Sequence, residues 1–274
     1  MAAFVGFIIV AWLFKPNARK SIEFTQDHFP DKWQSIIRAN VPICQKLPTE
    51  LRNRLHEKIL TFLTEKTFVG QGGFVVTEKV KLIVAAQACL MHLGRDGPLY
   101  PLLDTIHVFE GAFNGEHVDG DDVELDIDHG RVIGLTWLSG PIALSWNHSA
   151  MGAYDPVDGH NVVIHEFAHQ LDMESGFIDG VPVMEDADSF AVWCDVMQKE
   201  HQRLKTFVAM AKDRGENPDH TSLLNPYGTH SLEEFFAVAT ETFFEKPGPL
   251  QLAHPQLYEQ FKLYYRVDPV SWLH

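Results

Sequence analysis

The segment 161–173 places two histidines and a glutamate inside a largely apolar run. His165 and His169 stand four residues apart with Glu166 between them, in the pattern HEFAH. On an α-helix, residues at this spacing lie on one face, so both imidazoles can reach the same metal ion. Because most other side chains of the segment are apolar, the helix is predicted to be buried. Buried imidazoles and carboxylates need partners, and a metal ion would provide them.

The residue types in this motif point to a particular chemistry. Imidazole nitrogen is a common zinc ligand, and zinc lowers the pKa of a bound water to about 7. A carboxylate beside the metal can then take a proton from that water. His165 and His169 are therefore candidate zinc ligands and Glu166 is the candidate general base. The alternative is a chance match, with both histidines serving as ordinary core residues of a chain that has 15 histidines.

A catalytic zinc site needs a third protein ligand and one open position. The metzincin pattern would require glycine at 172 and histidine at 175, where this chain has Asp172 and Ser175. A third histidine of that type is thus excluded. Asp172 is instead a candidate to accept a hydrogen bond from a ligand imidazole, or is a surface residue at the helix end.

A glutamate from a later segment is the alternative third ligand. The candidates are Glu185, Glu233, Glu234 and Glu241. Glu234 is favoured because it shares a mostly apolar stripe with Glu241 on the helix predicted over 231–245, whereas Glu233 is rotated away by about 100°. However, Glu234 also stands three residues after Ser231, a spacing that equally predicts a capping box at the helix start.

Hydrophobic periodicity and turn residues predict the other elements. Helices are predicted over 48–68, 77–93, 161–173, 186–212 and 231–245. Strands are predicted over 105–110, 131–137 and 141–146. The acidic segment 115–130 is predicted to be a solvated loop, because it lacks the ligand order of an EF-hand. Without internal repeats or a low-complexity linker, residues 21–274 are predicted to form one domain.

Residues 1–14 form an uncharged apolar run that Lys15, Arg19 and Lys20 follow. A helix of this length covers about 21 Å, against roughly 30 Å for a hydrocarbon core. The cations follow the run, which is the reverse of a cleavable signal peptide. Residues 1–20 are therefore a candidate anchor in the inner membrane, with the rest of the chain on the cytoplasmic side. The alternative is a buried or partner-facing helix.

Composition restricts the partners and the compartment. The chain has 22 Lys and Arg against 37 Asp and Glu, a net charge of −15 that repels phosphate backbones. A nucleic-acid partner is therefore not expected. The three cysteines have no CxxC spacing, so neither a disulfide framework nor a cysteine zinc site is predicted, and a reducing, cytoplasmic location is favoured.

Several segments, in the same order along residues 30–270, resemble the Mlc titration factor A family of zinc-dependent peptidases. They are GQGGFVVTEKVKLIVAAQACL at 70–90, GPIALSW at 140–146, GHNVVIHEFAHQLDMESGFIDGVP at 159–182 and EEFFAVATETFFEKP at 233–247. The resemblance implies a zincin-like α+β metallopeptidase domain, with a small sheet beside the helix that carries the HExxH motif. The implied site is of the gluzincin type, similar to the catalytic domain of anthrax lethal factor.

The resemblance also implies roles for individual residues. One zinc ion per chain would be held by His165, His169 and Glu234, with Glu166 as the base. A tyrosine seven residues before the ligand glutamate faces the metal in this family, and Tyr227 stands at that spacing. Tyr227 would donate to the oxyanion; the alternative is a loop tyrosine that only packs its ring.

The expected function is zinc-dependent hydrolysis of a peptide or protein substrate. The resemblance also implies aminopeptidase-like activity and binding to a transcriptional repressor of the Mlc type. The alternative is a regulatory binding protein that sequesters a transcription factor, with zinc structural or vestigial. A structural zinc site needs no base, so Glu166 and Tyr227 favour catalysis. Segment 140–146, which precedes the HExxH helix, is expected to be the edge strand that pairs with an extended substrate.

Overall fold

The computed structural model describes residues 29–113, 123–128, 131–137, 140–184 and 186–272. Residues 1–20 and Glu185 lie outside the described residues, so what was predicted for them stays a prediction. Within the described ranges, no helix combines the length and the apolar character that crossing a bilayer requires.

The sheet has five strands in the order β1-β2-β5-β4-β3. They are β1 (Thr67–Gly70), β2 (Thr105–Phe109), β3 (Val123–Asp128), β4 (Arg131–Trp137) and β5 (Ile142–Ser145). Strands β1, β2 and β5 are parallel, whereas β4 is antiparallel to both β5 and β3. Together with the helices, this mixed sheet confirms the predicted α+β class.

Ten α-helices lie within the described ranges. They are α1 (Asp31–Asn40), α2 (Thr49–Glu65), α3 (Glu78–Leu90), α4 (Trp146–Tyr154), α5 (Val162–Met173), α6 (Ala187–Asp213), α7 (Pro218–Thr221), α8 (Leu232–Glu245), α9 (Pro247–Ala253) and α10 (Pro255–Tyr265). Polar side chains cap four of the predicted helices by accepting a backbone N–H of the first turn: Thr77, Asn161, Asp186 and Ser231.

Helix α5, which carries the HExxH motif, is buried over its whole length. It packs against α3, α4 and α8 and against strands β4 and β5. The apolar side chains of Val163, Phe167 and Leu171 are fully buried. Helix α8 is likewise buried from Glu234 to its end. The packing of α5 on α8 brings the polar residues of the two helices together in the interior.

Two predictions about the sheet need correction, one of an edge strand and one of a loop. The prediction that 140–146 offers a free sheet edge is wrong, because β5 pairs with β2 on one side and with β4 on the other. The prediction of a loop over 115–130 is wrong for Val123–Asp128, which form β3. The sequence VELDID alternates apolar and acidic residues with the period of a strand, and its acidity obscured this pattern.

Candidate functional site

Three side chains predicted as metal ligands converge between α5 and α8. The Nε2 atoms of His165 and His169 are 3.2 Å apart. Oε2 of Glu234 lies 3.0 Å from Nε2 of His165 and 3.8 Å from Nε2 of His169. All three residues are buried, and together they form a group that could hold a metal ion.

The protonation of these groups shows why a cation fits between them. Nδ1 of His165 lies 2.9 Å from Oε1 of Glu241, so a neutral His165 that donates there carries its lone pair on Nε2. Burial lowers the pKa of His169 to about 4, so its imidazole is neutral at pH 7. Two buried imidazole nitrogens and a carboxylate oxygen therefore face one another, and these are donor atoms that could hold a metal cation.

The spacing of these atoms also suits zinc. Two bonds of about 2.0 to 2.1 Å at a tetrahedral angle place ligand atoms about 3.3 Å apart. The observed separations of 3.0, 3.2 and 3.8 Å bracket this value. Two imidazoles and one carboxylate are also the donor set of catalytic zinc sites in peptidases.

Glu234 takes part in both the helix start and the group of converging side chains. Its backbone N–H donates to Oγ of Ser231 at 3.3 Å, which caps α8, while its side chain reaches the histidines of α5. Burial alone would raise the pKa of Glu234, but its contacts with His165, His169 and Tyr227 lower it below its usual value. The carboxylate is therefore ionised at neutral pH.

The other carboxylates predicted for this site have different positions. Glu233 is only partly buried and lies outside the group of converging atoms. Asp172 was a candidate to orient a ligand imidazole, but its Oδ2 accepts the N–H of Gly180 at 2.7 Å. Burial raises the pKa of Asp172 to about 7. The carboxylate that contacts Nδ1 of His165 is instead Glu241.

A buried network fixes Glu241 in place. Its Oε2 accepts the backbone N–H of Asn161 at 2.5 Å, and the Asn161 amide donates to Oε1 of Glu245 at 2.9 Å. Glu245 also accepts the N–H of Gly159 at 3.0 Å. Such partners orient metal ligands and tune their basicity. Sequence reasoning missed this role, although glutamates four residues apart in an apolar helix were a signal that they needed partners.

Glu166 lies on α5 and is 1% exposed. Its side chain is seated against Gly134 of β4: a Cβ atom built on Gly134 would lie 2.1 Å from Oε1 of Glu166. A side chain at this position of the strand would therefore have to displace Glu166. The sequence signal was a single glycine inside RVIGLTW, which often marks a close backbone approach.

Tyr227 lies in a short 3-10 turn, Pro226–Thr229, that packs against α8 and α6. Oδ1 of Asn225 accepts the Tyr227 N–H at 2.9 Å and holds the turn. The centroid of the Tyr227 ring is 6.0 Å from that of His165, and its hydroxyl donates to Glu234. The structure thus brings Tyr227 to the same group of side chains.

A cleft of about 720 Å³ opens beside this group. Its lining includes His165 and Tyr227 from the site, together with residues from α4, α6 and the segment before α8. This volume is within the range of roughly 300 to 1,000 Å³ that is usual for ligand sites.

Comparison with known proteins agrees with this geometry. The family model described as glucose-regulated metallo-peptidase M90 matches residues 14–266. An uncharacterized protein of Synechocystis sp. is 37% identical over 247 residues, which cover 89% of this chain and 87% of that protein. The Mlc titration factor A of Pectobacterium atrosepticum is 29% identical over 89% of this chain and 88% of its own length. That of Yersinia pestis is 29% identical over 97% and 93%. The chain therefore belongs to the M90 family of glucose-regulated metallo-peptidases, which confirms the resemblance to Mlc titration factor A carried by its sequence motifs.

Proposed function

We propose that this protein is a zinc-dependent peptidase whose single zinc ion is held by His165, His169 and Glu234. The observation that carries the proposal is the convergence of His165 and His169 of α5 with Glu234 of α8, while the buried Glu166 lies on α5 next to His165 in sequence. When bound, zinc would polarise the scissile carbonyl and lower the pKa of a water molecule. We interpret the sheet beside α5 as the zincin-like arrangement that the sequence predicts.

The protein residues would move and orient the remaining charges. Glu166 takes the proton of the attacking water and passes it to the leaving amine, as a general base and then a general acid. Gly134 leaves the space that this carboxylate occupies. Tyr227 would turn its hydroxyl from Glu234, its partner in the structure, to the oxyanion that develops on the scissile carbonyl. Glu241 keeps the tautomer of His165 fixed throughout.

The substrate in this proposal is a peptide or protein segment that enters the cleft, and aminopeptidase-like action belongs to the same proposal. A second role, binding of a repressor of the Mlc type, is supported by the name of the relatives that are called Mlc titration factor A. The two roles are separable, because binding a repressor would not require Glu166. We also propose a cytoplasmic location, with residues 1–14 as a candidate membrane contact.

Removing the metal tests the central proposal. We expect the purified protein to contain about one zinc per chain, and to lose peptide hydrolysis after dialysis against 1,10-phenanthroline. One equivalent of zinc should restore hydrolysis, because the three ligands are already gathered in the fold. Elemental analysis and cleavage of a fluorogenic peptide pool provide the measurements. A zinc-free preparation that retains full activity would refute the proposal.

Gly134→Ala is expected to lower hydrolysis by about 10- to 100-fold, since the new methyl group occupies space that Glu166 uses and displaces the base. Zinc content should be unchanged. Gly111→Ala is the control, because a Cβ atom there meets only Nδ2 of Asn147 at 3.5 Å. The measured quantity is kcat/KM, compared between the two variants. Equal activity of the two would show that Glu166 does not depend on this contact.

Tyr227→Phe is expected to lower kcat by about 100-fold, the usual cost of one oxyanion donor. The ring contacts with His165 and His230 should persist, so folding and zinc content should not change. Steady-state kinetics at saturating peptide separate this loss from weaker binding. If only KM rose, Tyr227 would contact substrate without stabilising the oxyanion.

A further inference from the structure

The wall of the cleft carries one strongly exposed apolar side chain. Met151 of α4 is 67% exposed and lines the same cleft as His165 and Tyr227. Leaving a large apolar side chain in water forgoes the free energy of its burial. Ligand clefts are lined largely by apolar side chains, so an exposed methionine in the wall of a cleft is placed to contact an apolar group of a ligand.

Close packing holds Met151 beside the metal centre. The next residue, Gly152, is buried against the start of α5: a Cβ atom there would lie 3.0 Å from both Cα of Asn161 and O of His160. Because no side chain separates the two backbones, α4 approaches the helix of His165 closely. The position of Met151 is therefore fixed by the packing of rigid elements.

The apolar surface extends beyond this one residue. Tyr154 is 70% exposed and lies about 60° from Met151 around α4. Val208 of α6 also lines the cleft. An apolar side chain of a bound peptide could thus contact both helices.

We propose that Met151 forms the apolar wall of a substrate subsite, which selects peptides carrying a large apolar side chain, such as phenylalanine or leucine, near the scissile bond. The inference rests on the proposed function, because it assigns the cleft to a peptide substrate.

The experiment measures binding, so that it does not depend on hydrolysis. Zinc-loaded Glu166→Gln protein is titrated into fluorescent ten-residue peptides, in which a single phenylalanine is moved along a serine and glycine background. Fluorescence anisotropy then compares this protein with two double variants that add Met151→Gln or Met210→Gln. Met210 is the matched control: it is 55% exposed on α6 and is not among the cleft-lining residues. Glutamine has nearly the helix propensity of methionine, so both variants should fold.

We expect the best phenylalanine position to improve binding by about tenfold over the peptide without phenylalanine, the lower end of what an apolar subsite supplies. Met151→Gln should remove most of this preference, and Met210→Gln should retain it. A preference that survives Met151→Gln, or no preference at any position, would overturn the subsite. If the preference depends on Met151 but the wild-type protein cleaves none of the peptides, the subsite stands and the peptidase function fails.

Discussion

Replacing Glu166 by glutamine is expected to reduce peptide hydrolysis by about 10²- to 10⁴-fold, the usual contribution of general acid–base catalysis. Glutamine has nearly the same shape as glutamate, so it should fit against Gly134, where even one added carbon atom would clash. Its amide cannot accept a proton from the attacking water. Zinc content and thermal stability should stay close to those of the wild-type protein, because Glu166 is not among the converging ligand atoms.

The matched control is Glu233→Gln, which makes the same chemical change at a partly buried glutamate of α8. It should leave kcat/KM within about twofold of the wild-type value, as is usual for substitutions away from functional contacts. Single-turnover measurements with excess enzyme would show that the loss in Glu166→Gln lies in the chemical step. Wild-type activity in that variant would exclude Glu166 as the base.

The same pair of experiments separates the two proposed roles. Binding to a repressor of the Mlc type, measured with purified proteins, should be equal for wild-type protein and Glu166→Gln if it uses a surface other than the catalytic groups. A protein that bound the repressor and never hydrolysed peptides, even with zinc present, would be a binding protein with a vestigial site. Glu166 would then be a buried carboxylate without a catalytic role.

Local sequence rules predicted the parts of the fold that depend on neighbouring residues. Four of the helices were predicted to begin within two residues of Thr77, Asn161, Asp186 and Ser231, and in the structure these side chains accept backbone N–H groups of the first turn. The four-residue spacing of His165 and His169 likewise determined that both imidazoles share a face of α5.

The order of the strands could not be predicted in this way. The residues of β5 identified a strand, but its pairing with β2 and β4 depends on distant segments of the chain. The predicted free edge failed for this reason. The contact of Gly134 with Glu166 likewise depends on how β4 lies across α5, so the lone glycine could indicate a close approach without identifying what approaches.

The third ligand shows the same limit within the site. Glu234 and Glu241 share one stripe of α8, so periodicity alone could not distinguish them. Seven residues of helix separate them by about 10.5 Å along the axis, and only the packing of α5 determines which end meets which imidazole nitrogen. In the structure, Glu234 lies beside Nε2 of His165 and Glu241 lies beside Nδ1 of the same ring.

This geometry leads to a second large effect, the loss of zinc from Glu234→Ala. One of three protein ligands is removed, so the zinc affinity should fall by more than the roughly 10- to 100-fold that loss of an orienting partner costs. Glu241→Gln provides that comparison within the same protein, because Glu241 contacts His165 through Nδ1. Zinc affinity is measured by competition with a chromophoric chelator, and His165→Ala and His169→Ala should resemble Glu234→Ala.

The controls decide between a ligand and a helix cap at this position. The cap uses the backbone N–H of Glu234 and the hydroxyl of Ser231, so Glu234→Ala should leave it intact, whereas Ser231→Ala removes it and keeps the carboxylate. Ser231→Ala should therefore cost about 1 kcal/mol of stability and retain zinc. Glu233→Ala and Glu185→Ala should also retain the metal. If Glu185→Ala lost zinc and Glu234→Ala retained it, the ligand assignment would be wrong. The carboxylate of Glu234, 3.0 Å from Nε2 of His165, would then be only a hydrogen-bond partner of that imidazole.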